Sequence, residues 1–340
     1  MTRPGVALIG AGMIAKTHVS ALSALQSRCR LAAIVSTRPE RAEYLSAFYQ
    51  GPSPQFTNDL SAVLKAPDID FVIVATPPNV RLDLIESLTK AGKHILLEKP
   101  IARNLHESRQ VIDICKRANV ELAVVFQHRM WDSSIAAKQV VASGDLGKIG
   151  LIEITAPLWR PQTYYDELGR GTYTRDGGGV LITQAIHTID LALSLTGPVS
   201  RVQAMTATTS LHNMESEDFA VVGLTFASGA VGSLIASTAT FPRGKESIAL
   251  NGICGSLHLS ADSMDVHWQD GQITHYIQET KTEETVNSKS LWHKRIIENF
   301  IDCIEHGNAP MVSGHDAFSS HRLIEAIEVS SRTGHSVDIE

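Results

Sequence analysis

The stretch that decides the fold is Gly5-Val6-Ala7-Leu8-Ile9-Gly10-Ala11-Gly12-Met13-Ile14-Ala15. Its first five residues form a continuous apolar run, which predicts a buried strand, and apolar residues at helical spacing continue beyond it to Leu25. Gly10 permits a tight turn, Gly12 allows a diphosphate to approach the backbone, and Ala15 lets the helix pack closely on the strand. Strand, turn and helix in this order predict a dinucleotide-binding unit, with the anion at the helix N-terminus.

The same alternation of strands and helices continues to about residue 125. A second helical stretch runs from Val80 to Ala91. The apolar strand candidates are Val6-Ile9, Arg30-Val35, Phe71-Ala75, His94-Glu98 and Leu122-Val125. Continuous apolar strands separated by helices are typical of a parallel sheet that is covered on both faces. We therefore assign residues 1–125 to a doubly wound α/β domain, a Rossmann domain that binds a dinucleotide.

After residue 125 the pattern changes to longer strand candidates rich in Thr, Val and Ser. Helical residues from Ile135 to Val141 come first, and helices from Ser290 and from Asp316 to Thr333 close the chain. The strand candidates are Gly150-Thr155, Val202-Thr208, Phe219-Phe226, Ala230-Thr240, Ser247-Leu250, Ser256-Leu259 and Ile273-Ile277, with hairpin turns at Ala227-Ser228-Gly229 and Gln269-Asp270-Gly271. We expect residues 126–340 to form an α+β domain with an open, mostly antiparallel sheet, which binds substrate and mediates oligomerisation.

Composition excludes several classes of protein. With 340 residues, 43% of them hydrophobic and 19% charged, the chain is an ordinary globular protein, and about 150 residues per domain gives two domains. A formal charge of -6 without a long basic run argues against a nucleic-acid partner. No apolar stretch reaches the roughly 18 residues that span a bilayer, and the apolar run near the N-terminus is too short to predict a signal peptide. We therefore expect a cytoplasmic protein with no membrane partner.

The cysteines and histidines predict neither cross-links nor a metal. The four cysteines, Cys29, Cys115, Cys254 and Cys303, are far apart and form no zinc-binding or disulfide pattern. The 14 histidines contain no HxxxH or similar cluster, so we expect no metal site. Apolar positions on the open face of the antiparallel sheet need cover, which predicts a homo-oligomer, either a dimer or a tetramer.

The end of the second strand candidate bears on which dinucleotide binds. Where an Asp or Glu would accept hydrogen bonds from a free ribose 2′-hydroxyl, this chain has Ser36, followed by Thr37 and Arg38. Hydroxyl groups and a guanidinium can donate to a 2′-phosphate, which favours NADP(H), with NAD still possible. The alternative is that Arg38 and Arg41 are solvated charges at the start of a helix.

Two further motifs follow strand ends, where the ligands of open α/β sheets bind. They are Thr76-Pro77-Pro78-Asn79 after the third strand candidate and Glu98-Lys99-Pro100 after the fourth. With these motifs the chain resembles the glucose-fructose oxidoreductase, inositol dehydrogenase and MocA (Gfo/Idh/MocA) family of NAD(P)-dependent oxidoreductases. The resemblance extends over nearly the whole chain, through Tyr164-Tyr165, Gly169-Arg170-Gly171-Thr172, Gly177-Gly178-Gly179-Val180-Leu181 and Ala185-Ile186-His187-Thr188-Ile189-Asp190.

This resemblance implies that Lys99 lies beside the nicotinamide and that His187 is the acid/base for a substrate carbinol or ketone. Hydride transfer at carbon requires a proton to leave or reach the oxygen, and an imidazole titrates near neutral pH. A lysine can stabilise the developing alkoxide charge, and Asp190, one helical turn after His187, could orient the imidazole. Many members have an aspartate four residues before the histidine, whereas this chain has Thr183, which cannot take a proton at neutral pH.

Motifs and resemblance together define two sets of candidate site residues. The cofactor set is Gly10, Gly12, Met13, Ile14, Ser36, Thr37, Arg38, Ala75, Thr76, Pro77, Asn79, Glu98, Lys99 and Arg170. The substrate set is Lys99, Arg129, Tyr164, Thr183, Gln184 and His187. We expect hydride transfer between a nicotinamide and a hydroxyl or ketone carbon of a sugar, sugar derivative or cyclitol. Two alternatives stay open: a non-catalytic regulator that senses cofactor or sugar on the same fold, and a dehydrogenase of a non-sugar carbonyl or diol.

Overall fold

A computed structural model describes residues 3–277 and 288–339, which form two compact units. Unit 1 comprises residues 3–102, 106–127 and 288–317, and unit 2 comprises residues 103–105, 128–277 and 318–339. The strands are β1 (Gly5–Ile9), β2 (Arg30–Val35), β3 (Gln55–Thr57), β4 (Phe71–Val74), β5 (His94–Glu98), β6 (Leu122–Val125), β7 (Ile149–Pro157), β8 (Val199–Ala207), β9 (Phe219–Phe226), β10 (Val231–Ser237), β11 (Ser247–Gly252), β12 (Gly255–Leu259), β13 (Ser263–Trp268), β14 (Ile273–Ile277) and β15 (Val337–Asp338). The helices are α1 (Ala15–Ser23), α2 (Leu60–Lys65), α3 (Arg81–Lys90), α4 (Leu105–Arg117), α5 (Asp132–Ser143), α6 (Gln162–Tyr165), α7 (Ile186–Thr196), α8 (Ser288–His306) and α9 (Gly314–Thr333). Short 3₁₀ turns cover Pro39–Arg41, Glu43–Phe48, Pro78–Val80 and Gln127–Met130, and a π-helix covers Leu181–Ala185.

Unit 1 contains a six-stranded parallel sheet in the order β3-β2-β1-β4-β5-β6. The five predicted strands are all present, with ends that agree within one residue. The order reverses between β1 and β4, and in doubly wound sheets ligands bind beyond the carboxyl ends of the strands at this point. Strand β3 was missed because its three residues are partly exposed and pair with β2 at the sheet edge, so they lack a continuous apolar pattern.

The sequence predicts a single boundary between residues 125 and 126. The structure differs, because residues 288–317 belong to unit 1. Helix α8 packs against α1, β5 and β6. Its side chains Ile297, Phe300 and Ile301 are fully buried, and the Phe300 ring meets the Phe71 ring edge-on with centroids 5.5 Å apart. The apolar face of α8 is therefore buried on the Rossmann sheet, although this helix comes late in the chain.

Unit 2 contains a nine-stranded sheet in the order β14-β13-β12-β11-β7-β10-β9-β8-β15. Neighbouring strands are antiparallel except for β7 and β10, which are parallel, so the prediction of a mostly antiparallel sheet is confirmed. Strands β13 and β15 were missed: β13 is defined by its pairing with β12 and β14, and β15 has two residues. Helices α5 and α7 pack against this sheet. Within the described ranges, no helix is both long and apolar enough to cross a membrane.

Candidate active site

The turn between β1 and α1 has the geometry that a dinucleotide needs. Gly10 has a φ of 106°, and a Cβ atom there would lie 2.8 Å from backbone atoms of Ala75, so another residue would be strained and would clash. A Cβ on Gly12 would meet nothing within 4 Å, which leaves open space beside the backbone. The start of α1 has neither a side-chain cap nor an acidic residue in its first turn. This uncapped helix N-terminus, without a competing carboxylate, fits the diphosphate of a dinucleotide.

Ser36, Thr37 and Arg38 lie together at the carboxyl end of β2, as predicted. The Ser36 amide donates to the Thr57 carbonyl on β3 over 2.9 Å, which fixes the backbone at this position. The Ser36 hydroxyl accepts from the Arg38 amide over 3.3 Å, and the side chains of Thr37 and Arg38 are exposed. Two hydroxyl groups and one guanidinium are thus available at the strand end where a ribose would lie.

Lys99 directly follows β5, and the peptide bond between Lys99 and Pro100 is cis. The neighbouring loop after β4 contains Thr76, and one buried side chain bonds to both loops. Arg81, the first residue of α3, donates to the backbone carbonyls of Thr76, Glu98 and Pro100. Sequence reasoning missed Arg81, because a charged residue at a helix start is ordinarily solvated.

A buried cluster of ionisable side chains lies directly before Lys99. Glu98 shares a hydrogen bond of 2.8 Å with His18 on α1, and Nε2 of His293 on α8 lies 3.7 Å from the same carboxylate oxygen. Burial lowers the pKa of His18, which fits a neutral imidazole that donates from Nε2. Burial alone would raise the pKa of Glu98, but the hydrogen bond from His18 and the nearby His293 imidazole outweigh it and hold that pKa well below its ordinary value. His18, Glu98 and His293 are close enough together to be considered as metal ligands. His18 and Glu98 are in direct contact, so we interpret the group as a hydrogen-bonded carboxylate.

In unit 2, His187 lies in the first turn of α7, directly after the π-helix. Single π-turns within helices frequently occur at functional sites, and this one contains Thr183 and Gln184 of the predicted substrate set. The His187 ring lies 4.8 Å from the ring of His128, which is itself stacked on Trp131 at 3.9 Å. Neither the π-helix nor this series of rings was predicted, because both depend on packing between distant segments.

The structure brings three members of the substrate set close to the π-helix. The Thr183 hydroxyl donates over 2.6 Å to the Gly179 carbonyl, which lies just before the π-helix. Gln184 accepts from Nη2 of Arg160 over 2.6 Å and donates to the Tyr164 hydroxyl over 3.3 Å. Tyr164, Gln184 and Arg160 thus form a polar group, to which sequence reasoning contributed the first two.

Arg129, another member of the substrate set, forms a bidentate pair with Asp190. Its Nε and Nη2 atoms donate to the two carboxylate oxygens over 2.6 and 2.7 Å. Asp190 is fully buried, and paired charges of this kind are the usual way in which a carboxylate is kept in a protein interior. Both oxygens of Asp190 bond to Arg129, so the residue expected to orient His187 also fixes the guanidinium of Arg129.

Two family profiles match the sequence. The profile described as "Oxidoreductase family, NAD-binding Rossmann fold" matches residues 5–126, and the GFO/IDH/MocA C-terminal domain matches residues 135–258. The chain belongs to the GFO/IDH/MocA family. Its members are oxidoreductases, and the Rossmann unit with its glycine turn is the NAD-binding part of this one.

Characterised relatives of this GFO/IDH/MocA protein span nearly its whole length. It is 27% identical to D-apiose dehydrogenase of Paraburkholderia graminis over 358 aligned positions, which cover 98% of this chain and 89% of the relative. Inositol 2-dehydrogenase of Rhizobium meliloti is 27% identical over 332 positions, 94% of each chain. The crystal structure of the WlbA dehydrogenase of Bordetella pertussis, in complex with NADH and UDP-GlcNAcA, is 28% identical with a TM-score of 0.85, and the match covers 100% of this chain and 99% of that one.

One candidate cofactor residue of this family member, Arg170, lies in unit 2 among acidic side chains. Its Nε atom is 3.4 Å from Glu167, its Nη1 atom is 3.6 Å from Asp176, and its guanidinium lies 5.2 Å from the centre of the Tyr164 ring. These contacts hold Arg170 next to the polar group formed by Tyr164, Gln184 and Arg160.

A carboxylate that sequence reasoning missed holds the start of the segment that carries His187. Glu217 accepts from the Gly179 amide over 3.1 Å and from the Leu181 amide over 3.0 Å, and its own carbonyl accepts from the Val180 amide over 2.8 Å. A Cβ on Gly179 would lie 1.8 Å from the Glu217 carbonyl oxygen, so this close approach requires glycine. Burial raises the pKa of Glu217. The donors and the acceptor are more than 30 positions apart, so no local pattern indicates the contact.

Proposed function

We propose that this protein transfers a hydride between a nicotinamide dinucleotide and a hydroxyl or ketone carbon of a sugar, sugar derivative or cyclitol. The observation that carries the proposal is the position of Lys99 in unit 1. It follows β5 at the carboxyl edge of the parallel sheet, the edge at which the glycine turn follows β1. An amine at this edge lies where ligands of such sheets bind.

The chain's own residues supply the proton chemistry. When bound, the dinucleotide accepts or delivers the hydride. During oxidation of a carbinol, His187 takes the hydroxyl proton, and the Lys99 ammonium stabilises the alkoxide charge that develops on the oxygen. During reduction of a ketone, His187 returns the proton to the same oxygen. Thr183 stands where many members have an aspartate, so the proton transfer depends on His187 and Lys99.

The substrate class rests on the relatives and on the polar group around Gln184. The similar proteins include dehydrogenases of apiose and inositol, and a structure with a bound nucleotide sugar acid. Tyr164, Gln184 and Arg160 supply donors and acceptors of the kind that bind several hydroxyl groups. We would measure NAD(P)H formation and consumption over a panel of aldoses, cyclitols, keto-sugars, nucleotide sugar acids and non-sugar diols. Turnover of a polyol supports the proposal, turnover of non-sugar diols alone contradicts the substrate class, and an absence of turnover favours a regulator.

We further propose that the dinucleotide is preferentially NADP(H). The support is the chain segment at the end of β2, where Ser36 replaces the usual acid and Thr37 and Arg38 are exposed. A charge-assisted hydrogen bond contributes about 1.5 to 3 kcal/mol, and 1.4 kcal/mol is a factor of ten, so NADPH should bind about tenfold or more tightly than NADH. Ser36→Asp should reverse this order, because a carboxylate binds free ribose hydroxyls and repels a phosphate. Equal dissociation constants in the wild-type protein would contradict this assignment.

We also propose a homo-oligomer, a dimer or tetramer that covers the outer face of the unit 2 sheet. Leu151, Met205, Val231 and Ile235 are 42% to 55% exposed. Leu151 pairs with Val231, and Ile235 pairs through Val221 with Met205, so these side chains are neighbours on one face. Ser233 and Glu153 lie between these two apolar groups, and exposed apolar side chains grouped on one face of a sheet commonly mark an interface. Light scattering at micromolar concentration should give a multiple of 36.9 kDa, and a monomer mass would contradict the proposal.

A further inference from the structure

Arg81 is a buried cation whose hydrogen-bond acceptors are backbone carbonyls. Arg81 is 2% exposed. Nε and Nη2 donate to the Thr76 carbonyl over 3.0 and 2.7 Å, and Nη1 donates to the carbonyls of Glu98 and Pro100. The Ile101 carbonyl lies 3.5 Å from the same Nη1 atom. One guanidinium therefore joins the loop after β4 to the loop after β5.

The contacts of Arg81 lie on either side of Lys99. The carbonyl before Lys99 belongs to Glu98 and the carbonyl after it belongs to Pro100, and Arg81 bonds to both. The side chain of Glu98 is held separately by His18. The backbone that carries Lys99 is thus anchored at the preceding and the following residue, and its position relative to the Thr76 loop is set by the same guanidinium.

Burying the Arg81 charge costs free energy, which indicates that this position requires the fixed directions in which a guanidinium donates hydrogen bonds. A buried cation loses its hydration, and neutral carbonyl dipoles replace only part of it. Burial accordingly lowers the pKa of Arg81 to about 10, although the nearby Glu98 charge opposes this shift. A planar guanidinium can donate in several fixed directions at once, whereas a lysine ammonium on a flexible stem cannot reproduce this fork.

We propose that Arg81 is the positioning residue for Lys99: by binding the carbonyls that follow β4 and β5, it sets the place of the Lys99 amine in the hydride-transfer site. The proposal rests on the function proposed above for Lys99. Arg81 itself contacts neither reacting atom in this account, so its effect on turnover is exerted through Lys99. A shift of about 1 Å in a reacting group can reduce turnover by about 100-fold.

Lys93 provides a matched control within the same unit. It is also a buried cation that donates to two backbone carbonyls, those of Ala66 and Ile69, over 2.5 and 2.8 Å. It directly precedes β5, so it lies at the amino end of the strand whose carboxyl end leads into Lys99. Loss of either cation should cost stability, but only Arg81 is placed to affect Lys99.

The experiment compares Arg81→Lys, Arg81→Met and Lys93→Met with the wild-type holoenzyme. For Arg81→Lys we expect kcat to fall about 10-fold to 100-fold, with KM and the dinucleotide dissociation constant changed by less than about threefold. In parallel, the titration of the Lys99 amine is followed by NMR of ¹³C-labelled lysine, with the signal assigned by Lys99→Met. That titration should shift in Arg81→Lys and stay at its wild-type position in Lys93→Met.

Two results would overturn the proposal. One is wild-type kcat together with a wild-type Lys99 titration in Arg81→Lys. The other is a loss of kcat in Lys93→Met equal to that in Arg81→Lys at matched loss of thermal stability, which would reduce Arg81 to a structural role. If Arg81→Met does not fold, Arg81→Lys still decides between the outcomes. The NMR titration needs no substrate, so an inactive wild-type protein would refute the proposed function while leaving the role of Arg81 measurable.

Discussion

The two units hold their functional segments with buried ions of opposite sign. In unit 1 a guanidinium, Arg81, binds backbone carbonyls around Lys99, and in unit 2 a carboxylate, Glu217, binds backbone amides at the start of the segment that leads to His187. The sign follows the backbone group that the fold leaves unpaired. The two loops that Arg81 joins present carbonyls to it, whereas the start of the helical segment in unit 2 presents amides to Glu217. The comparison shows that the sign of each buried side chain matches the backbone groups it binds: a cation binds carbonyls, and a carboxylate binds amides.

The carboxyl groups of the two units differ in the same way. Glu98 in unit 1 is hydrogen-bonded to the His18 imidazole and lies near that of His293, and its pKa is held well below the ordinary value despite burial. In unit 2, burial raises the pKa of Glu328 to about 7, and the nearby charge of Glu217 acts in the same direction. The buried Glu98 is therefore stable as the anion, whereas burial of the half-buried Glu328 favours its protonated form. These two carboxyl groups should respond oppositely to pH.

The largest expected effect tests whether both units contribute to one reaction. Lys99→Met and His187→Ala should each reduce turnover by about 100-fold or more, because alkoxide stabilisation or proton transfer is lost. Steady-state kinetics measures the effect, and a dinucleotide titration that gives a nearly unchanged dissociation constant is the control. Wild-type turnover in His187→Ala would show that His187 does not transfer the proton, and the two units could then be compared only in structure.

The next effect concerns the anion that holds amides in unit 2. Glu217→Ala should lower the free energy of unfolding by about 2 to 4 kcal/mol, because the buried amides of Gly179 and Leu181 lose their acceptor. Urea unfolding measures this loss. The matched control is Glu215→Ala, an exposed neighbour for which about 0.5 kcal/mol or less is expected. Equal effects of the two substitutions would show that the carboxylate does not hold the helix start.

The third prediction follows from the raised pKa of Glu328. An acid whose folded-state pKa is raised from 4.5 to about 7 contributes full stability below pH 4.5 and loses it as the pH rises through 7. Glu328→Gln stays neutral at every pH, so its stability relative to the wild-type protein should increase by about 2 to 3 kcal/mol between pH 5 and 8.5. Urea unfolding at a series of pH values provides the measurement. A difference that is independent of pH would mean that Glu328 is ionised throughout.

The smallest effect, of opposite sign, concerns His18 in unit 1. Burial lowers the pKa of His18, so its contribution to stability is present above the unfolded value of 6.5 and is lost as the pH falls through the folded value. His18→Gln keeps a donor for Glu98 but cannot be protonated. The wild-type protein should lose stability relative to this variant by about 1 kcal/mol between pH 7 and 5. Parallel unfolding curves for both proteins across this range would remove the contrast between the units.

The sequence by itself determined the elements whose signal is local. The turn from Gly10 to Ala15 and all five predicted parallel strands lie where the sequence placed them, to within one residue at each end. Apolar runs are read over five to ten residues, and burial on both faces of a parallel sheet makes them unambiguous. The motifs that contain Lys99 and His187 are local in the same sense, because a strand end and a helix start mark them.

Only the tertiary structure decided the features that join distant positions. Helix α8 belongs to unit 1 because Phe300 is buried against Phe71. Glu217, which lies just before β9, accepts from the amides of residues 179 and 181. Arg81 lies close to Thr76 in the sequence, but it also donates hydrogen bonds to the loop after β5. From the sequence, a charged residue is predicted to be solvated. Only the packing of the folded chain shows that its water is removed and that backbone acceptors replace it. These contacts form only when the chain folds, since their energy depends on burial and on partners that no local pattern encodes.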